Sequence, residues 1–255
     1  MNAAPKNVPL LGVFDKDALP YTLDENNTTK NATIPTLAQM TQKAIEMMSD
    51  HKKGFVLQVE GGKVDWAAHG NDIGALLFDQ LAFDDAVRVA IDFAKKDGNT
   101  LVVITSDHGN ANPGLIYGKE CNKNFDNLAH FLHTNDFTLQ SINLTDSVSQ
   151  VRDLLTHNFG NIPFSQEEAK EILSFYTEGK QEDGLYNYKK LPYRLLAEIQ
   201  KKHTSVGWIS MDHSSDYTEL AMYGPGSQNL PPFIENYKMH NFLLEAAEVD
   251  MLEKY

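Results

Sequence analysis

The chain has 255 residues, 42% of them hydrophobic, and its 35 acidic against 22 basic side chains give a formal net charge of -13. That length can bury one good-sized core, or one core plus a smaller lobe, while the acidic balance excludes a nucleic-acid groove, which needs a basic face, but not a small phosphorylated substrate whose charge a bound cation can offset. No apolar run is long enough to span a bilayer, residues 1–9 carry neither the charged nor the apolar region of a signal peptide, and Cys121 as the one cysteine excludes an intramolecular disulfide.

In chain order, residues 8–14 form a short apolar, β-branched run that predicts a buried strand. Leu37, Met40, Ala44, Ile45 and Met48 then fall on one stripe, predicting a helix capped by Thr33 or Thr36. A second strand is expected over residues 55–59. It is followed by a long helix with Ile73, Leu76, Leu77, Leu81, Val87, Ile91 and Ala94 on its apolar side, closed by Asp97-Gly98-Asn99. Residues 101–105 read as a third strand. Strands alternating with helices imply an α/β fold: a mostly parallel sheet with right-handed crossovers and flanking helices.

The pattern then changes. Residues 117–136 are polar and irregular, helices follow over about 145–157 and 165–176, and Ser165-Gln166-Glu167-Glu168 opens the second of these with a capping box. A helical stretch over 192–202 leads to an apolar run at 206–209. A strand-like run at 219–223 ends in Gly224-Pro225-Gly226, and a last helix is expected over 234–252. Residues 118–203 accordingly read as an inserted helical and irregular lobe, with 1–117 and 204–255 forming the α/β core.

Glu60-Gly61-Gly62-Lys63-Val64-Asp65-Trp66-Ala67-Ala68-His69 begins at the carboxyl end of the second expected strand, where open α/β sheets place their ligand sites. Asp65 and His69 are four apart, so a helix starting there presents both on one face. One carboxylate oxygen and one imidazole nitrogen at that spacing can chelate a divalent ion, and zinc suits mixed N/O ligands. Each residue also has a plain structural role open to it: Glu60 at a solvated strand end, Asp65 as a helix cap, His69 on a first turn. Ser106-Asp107-His108-Gly109-Asn110 sits at the end of the third expected strand and offers two further donors. Two such sets at two strand ends favour metal binding on spacing alone. His213, in Met211-Asp212-His213-Ser214-Ser215-Asp216, is the natural extra nitrogen ligand, although standing alone it reads as a structural histidine, with Asp212 and Asp216 as supporting, capping or surface charges.

The stretch from Glu60 to His69, Leu81-Ala82-Phe83-Asp84-Asp85-Ala86-Val87, and the run from Lys95 through Asp97-Gly98-Asn99-Thr100 to Asp107-His108 together resemble the alkaline phosphatase family in residue type, spacing and order. The resemblance is to the bacterial branch with a Trp after the zinc Asp, and it spans nearly all the chain outside the insertion. It implies that Asp65, His69 and His213 hold one zinc ion, that Asp107 and His108 hold a second, and that Glu60 helps hold magnesium. Trp66 then stands at the position beside the substrate phosphate, with packing as its other role. The implied reaction is in-line transfer of a phosphoryl group from a small phosphate monoester to a Ser or Thr, with the metal ions stabilising the developing charge. It also implies that residues 118–203 build a crown at a homodimer interface and that the parent is periplasmic or extracellular.

The family's nucleophile, its bridging Asp, further magnesium ligands and the phosphate-clamping Arg belong upstream of the Glu60 motif, and residues 1–59 reproduce none of them. Asp146-Ser147-Val148-Ser149 imitates a nucleophile motif but reads as a helix cap, and Arg88, Arg152 and Arg194 all fall on expected helices. The chain is therefore expected to be a C-terminal fragment, inactive alone. Two alternatives stay open: another enzyme of the same superfamily, such as a metal-dependent phosphoglycerate mutase or a sulfatase, and a zinc-binding interaction module that does not catalyse.

Overall fold

A computed structural model describes residues 8–28 and 34–249. Ten α-helices are formed among these residues: α1 Thr22–Asn27, α2 Leu37–Met48, α3 Gly62–His69, α4 Ile73–Asp97, α5 Cys121–Asp126, α6 Asn135–Gln140, α7 Val148–Asn158, α8 Gln166–Thr177, α9 Tyr193–Thr204 and α10 Met239–Ala246. The strands are short: β1 Val102–Ile104, β2 Gly109–Asn110, β3 Gly114–Leu115, β4 Val206–Gly207, β5 His213–Ser214 and β6 Ala221–Tyr223.

Local sequence accounts for several helix ends. Thr36 caps α2 through a capping box with Gln39, Ser147 does the same for α7 with Gln150, and Ser165 for α8 with Glu168. In each, the hydroxyl accepts from a backbone N–H that the helix leaves unbonded. The long α4 closes at Gly98, whose φ of 73° is left-handed and lets its N–H reach the carbonyl of Ala94. Ser147 is thus a cap, as expected. Thr33, the alternative cap for α2, lies outside the described residues, as does the end of the helix expected over 234–252; within them that helix is shorter and is preceded by a 3-10 turn at Asn236–Lys238.

The sheet differs from the expectation of mostly parallel neighbours. Among the described residues it is represented by three antiparallel pairs: β1 with β6, β2 with β5, and β3 with β4. Of the three expected strands only 101–105 pairs, and its partner is β6, more than a hundred residues further on. Residues 8–14 and 55–59 have no ladder partner among the described residues. In 55–59 burial still alternates, with Phe55, Leu57 and Val59 half-buried while Val56 and Gln58 face out. Such a segment has the side-chain pattern of a strand, but a strand is defined by its neighbour's hydrogen bonds, and none is present here.

The main buried cluster lies in the segment expected to be an insertion. Leu128, Phe131, Leu155, Phe159, Ile172 and Leu196 are buried together with Leu23 of α1, and Ile73, Leu77 and Phe78 of α4 pack against them. At about 25 cal/mol per Å² of apolar surface, each such side chain contributes roughly 1.5–3 kcal/mol. That segment and α4 therefore share one core, and α2 and α3 also pack on α4.

Candidate metal centre

The site is built on α3 and on the tight joint that follows it. Asp65 lies in the first turn of α3 and His69 in its last, and Ala67 and Ala68 are buried between them. Beyond Gly70, Asn71 takes a left-handed φ of 46°, and Asp72 caps α4. The Asp72 carboxylate accepts from the N–H of Ala75 at 2.9 Å and from that of Asn135 at 2.5 Å, which ties the joint to α6.

His213 reaches the site from β5. The β2–β5 pairing sets Asn110 opposite His213 and Gly109 opposite Ser214. A Cβ at Gly109 would lie 2.5 Å from Ser214 Oγ, so any larger residue there would push that hydroxyl aside. Ala111, buried at a left-handed φ of 54°, donates its N–H to the carbonyl of Asp212, while its own carbonyl accepts from Ile209 and Ser210. This backbone hub brings the Met211 carbonyl to 2.6 Å from His69 Nδ1. With Nδ1–H donating there, His69 Nε2 keeps its lone pair for a ligand.

His69 Nε2 then lies 3.1 Å from His213 Nε2 and 3.6 Å from Asp65 Oδ2, and His213 Nε2 is 3.8 Å from Asp65 Oδ1. Tetrahedral zinc with bonds of about 2.0–2.1 Å keeps its ligand atoms about 3.3 Å apart, close to these separations. Among the described residues this trio converges to within 4.8 Å as a group that could hold a metal ion. Two imidazoles and one carboxylate are a donor set that suits zinc. Asn110 steadies the carboxylate, its Nδ2 donating to Asp65 Oδ1 at 2.6 Å.

The other expected ligands are placed differently. His108 stacks on His213 with ring centroids 3.6 Å apart, but its Nε2 pairs with Asp107 at 3.3 Å and the Asp107 side chain is 78% exposed. Glu60 is exposed at the end of the unpaired 55–59 segment and is not gathered with the trio. Trp66 is half-buried, with Lys63 Nζ 3.9 Å over its ring and Tyr186 stacked on it at 4.8 Å. Arg88 and Arg152 pair with neighbouring aspartates on their own helices. Sequence reasoning missed Asn110, Met211 and Tyr186. Asn110 could have been found, since it directly follows the Asp107-His108-Gly109 motif; nothing near Tyr186 in sequence points to the site.

Behind α3 lies a buried acidic zone. Burial pushes the Asp72 carboxyl up to about 7 and that of Asp79 up to about 6, although Thr22 donates to Asp79 from both backbone and hydroxyl. Both folded values exceed the unfolded one of 3.8. Between those limits the folded state therefore binds more protons, and stability is lost as pH rises from about 4 to about 7. In chelator, the urea midpoint should be lower at pH 8 than at pH 5, and Asp79→Asn should narrow the gap. Equal midpoints at the two pH values would contradict this.

An α/β scaffold with a His–Asp–His cluster at one end of its paired strands defines a candidate metalloenzyme fold. The sequence pattern of the alkaline phosphatase family, "Alkaline phosphatase", matches residues 1–249, and the chain belongs to that family. It is 30% identical to alkaline phosphatase 4 of Bacillus subtilis over 242 residues, covering 94% of this chain and 48% of that protein. The crystal structure of the Thermus thermophilus alkaline phosphatase superposes with a TM-score of 0.81 at 26% identity, over 96% of this chain and 53% of that one. The cold-active enzyme of a Shewanella species shares the fold, with a TM-score of 0.72 at 21% identity over 90% of this chain and 53% of that one. The α/β class read from the sequence is thereby established. The chain spans about half the length of the curated relatives it matches.

Proposed function

We propose that this chain is the metal-holding part of a phosphate monoester hydrolase, with Asp65, His69 and His213 as the ligands of one zinc ion. The observation that carries this reading is the convergence of those three side chains within 4.8 Å in a member of the alkaline phosphatase family. Zinc bound there would supply a Lewis acid for charge developing on phosphoryl oxygens. The chain's part is to fix the ligands: Met211 sets the His69 tautomer, Asn110 holds Asp65, and the β2–β5 ladder carries His213. Asp107 and His108 are proposed to serve a second zinc, and Glu60 to serve magnesium. Residues 118–203 are proposed as a crown-like lobe. The chain alone is proposed to lack the nucleophile, which no Ser or Thr near the trio supplies in a family context.

The test is a panel of esters offered to the polypeptide that results when the chain is expressed together with any in-frame sequence upstream of Met1. Hydrolysis of an aryl phosphate but not an aryl sulfate, lost in Asp65→Ala, supports the reading. Sulfate ester turnover or phosphoglycerate isomerisation would move the chain to another enzyme of the superfamily, and zinc binding without any turnover would favour an interaction module.

The same reading predicts association. Leu11, Val13 and Val56 are more than three-quarters exposed, and 55–59 has no ladder partner among the described residues; such edges recruit further strands. Sedimentation should detect dimers or larger species at micromolar concentrations, together with binding of a hydrophobic dye. A dye-negative monomer across a wide concentration range would refute it.

A further inference from the structure

Tyr186 lies on the turn between α8 and α9, over a hundred residues from the Asp65–His69 motif, yet its half-buried ring meets the trio. It stacks on Trp66 with centroids 4.8 Å apart and planes 26° from parallel, and it meets His69 edge-on at 5.1 Å and 75°. The turn itself is pinned. Asn187 is buried, its Nδ2 donates to the carbonyls of Glu182 and Leu191, its Oδ1 accepts from Leu191 N–H, and its own N–H reaches Gly184.

We infer that Tyr186 is a positioning residue for the metal centre, holding the His69 imidazole in the plane that aims Nε2 at Asp65 and His213. An imidazole can swing about its Cβ–Cγ bond. The Met211 carbonyl restrains that swing from the Nδ1 side, at 2.6 Å. A single hydrogen bond leaves the ring free to tilt about the donor–acceptor line, and the Tyr186 ring, backed by Trp66 and the Lys63 ammonium over it, blocks that tilt. The contact is made by the ring and involves no hydroxyl bond, so phenylalanine should suffice. The lobe formed by residues 118–203 thereby sets the metal affinity of a site whose candidate ligands all lie outside it.

This inference rests on the zinc reading above, and the experiment separates the two. In the 255-residue chain, Tyr186→Phe, Tyr186→Leu and Tyr186→Ala are compared with the parent for zinc affinity, by competition with a chelating indicator, and for the His69 Nδ1–H resonance in nitrogen–proton correlation spectra. Loss of outer contacts that orient a ligand commonly weakens metal binding about 10–100-fold. Tyr186→Leu and Tyr186→Ala should fall in that range, and Tyr186→Phe should stay within about twofold of the parent. The leucine variant keeps apolar bulk, so it decides the matter if the alanine variant unfolds. Parent-like affinity in the folded leucine variant would overturn the inference. If the parent binds no zinc, the zinc reading fails, and the resonance decides: broadened in the leucine variant but sharp in the phenylalanine variant upholds the role, whereas sharp in both overturns it.

Discussion

His213→Ala should lower zinc affinity by roughly 10²–10³-fold. Structural zinc sites are worth about 10–16 kcal/mol over four ligands, so one ligand carries about 2.5–4 kcal/mol, and each 1.4 kcal/mol is tenfold. The parent chain should retain about one zinc per chain after dialysis, because one trio of ligand atoms is already gathered while Asp107 is largely exposed. His69→Ala should cost at least as much as His213→Ala, since His69 is the buried member and its Nδ1 is already committed to Met211. Metal analysis after dialysis and chelator competition measure both. Unchanged stoichiometry and affinity in the His213 variant would remove that residue from the site.

The second large effect concerns turnover. The chain alone should hydrolyse aryl phosphates at a rate about 10⁴–10⁶ below that of a competent phosphatase, the usual loss when a hydrolase is deprived of its nucleophile. Metals stabilise charge, but a covalent phosphoryl step needs a positioned hydroxyl. Ser214, adjacent to His213 in sequence, donates to Asp216 instead, and Ser106 donates to the carbonyl of His108. Two of the three arginines are engaged on their own helices, Arg88 with Asp85 and Arg152 with Asp153, and the third, Arg194, lies in the first turn of α9, its backbone N–H donating to Glu182. Assay at alkaline pH with zinc and magnesium, against Asp65→Ala as a blank, checks this. Robust activity lost in that variant would place a nucleophile within these residues.

What could be read from the sequence was what local chemistry decides. The caps Thr36, Ser147 and Ser165, and the closure of α4 at Gly98, are signals spread over a few residues, and all four stand. The Asp65–His69 pair was equally legible, because an i, i+4 spacing becomes one helix face once α3 forms. His213 was not legible on spacing, and the family resemblance supplied it; only the β2–β5 register puts it 3.1 Å from His69. Helix α1 was missed because tertiary contacts support its six residues: Asp79 accepts from Thr22 across 57 positions, and Leu23 enters the main core. The strands were the weakest part. An apolar run states that a segment wants burial, but not which segment lies beside it, and 8–14 and 55–59 have no ladder among the described residues.

The separation of 144 positions between His69 and His213 also sets an order of events during folding. The α7–α8 pair and the core around Leu155 and Ile172 form between neighbours in sequence, so they can close early and fast. The β2–β5 ladder closes a loop of about a hundred residues and offers only two register pairs in return. It should therefore form late, after the helices have already confined both ends. An ion that needs His69 and His213 together is blind to every earlier species. Zinc uptake followed in refolding would therefore time this long-range closure, lagging behind the helical signal by the interval which that closure requires.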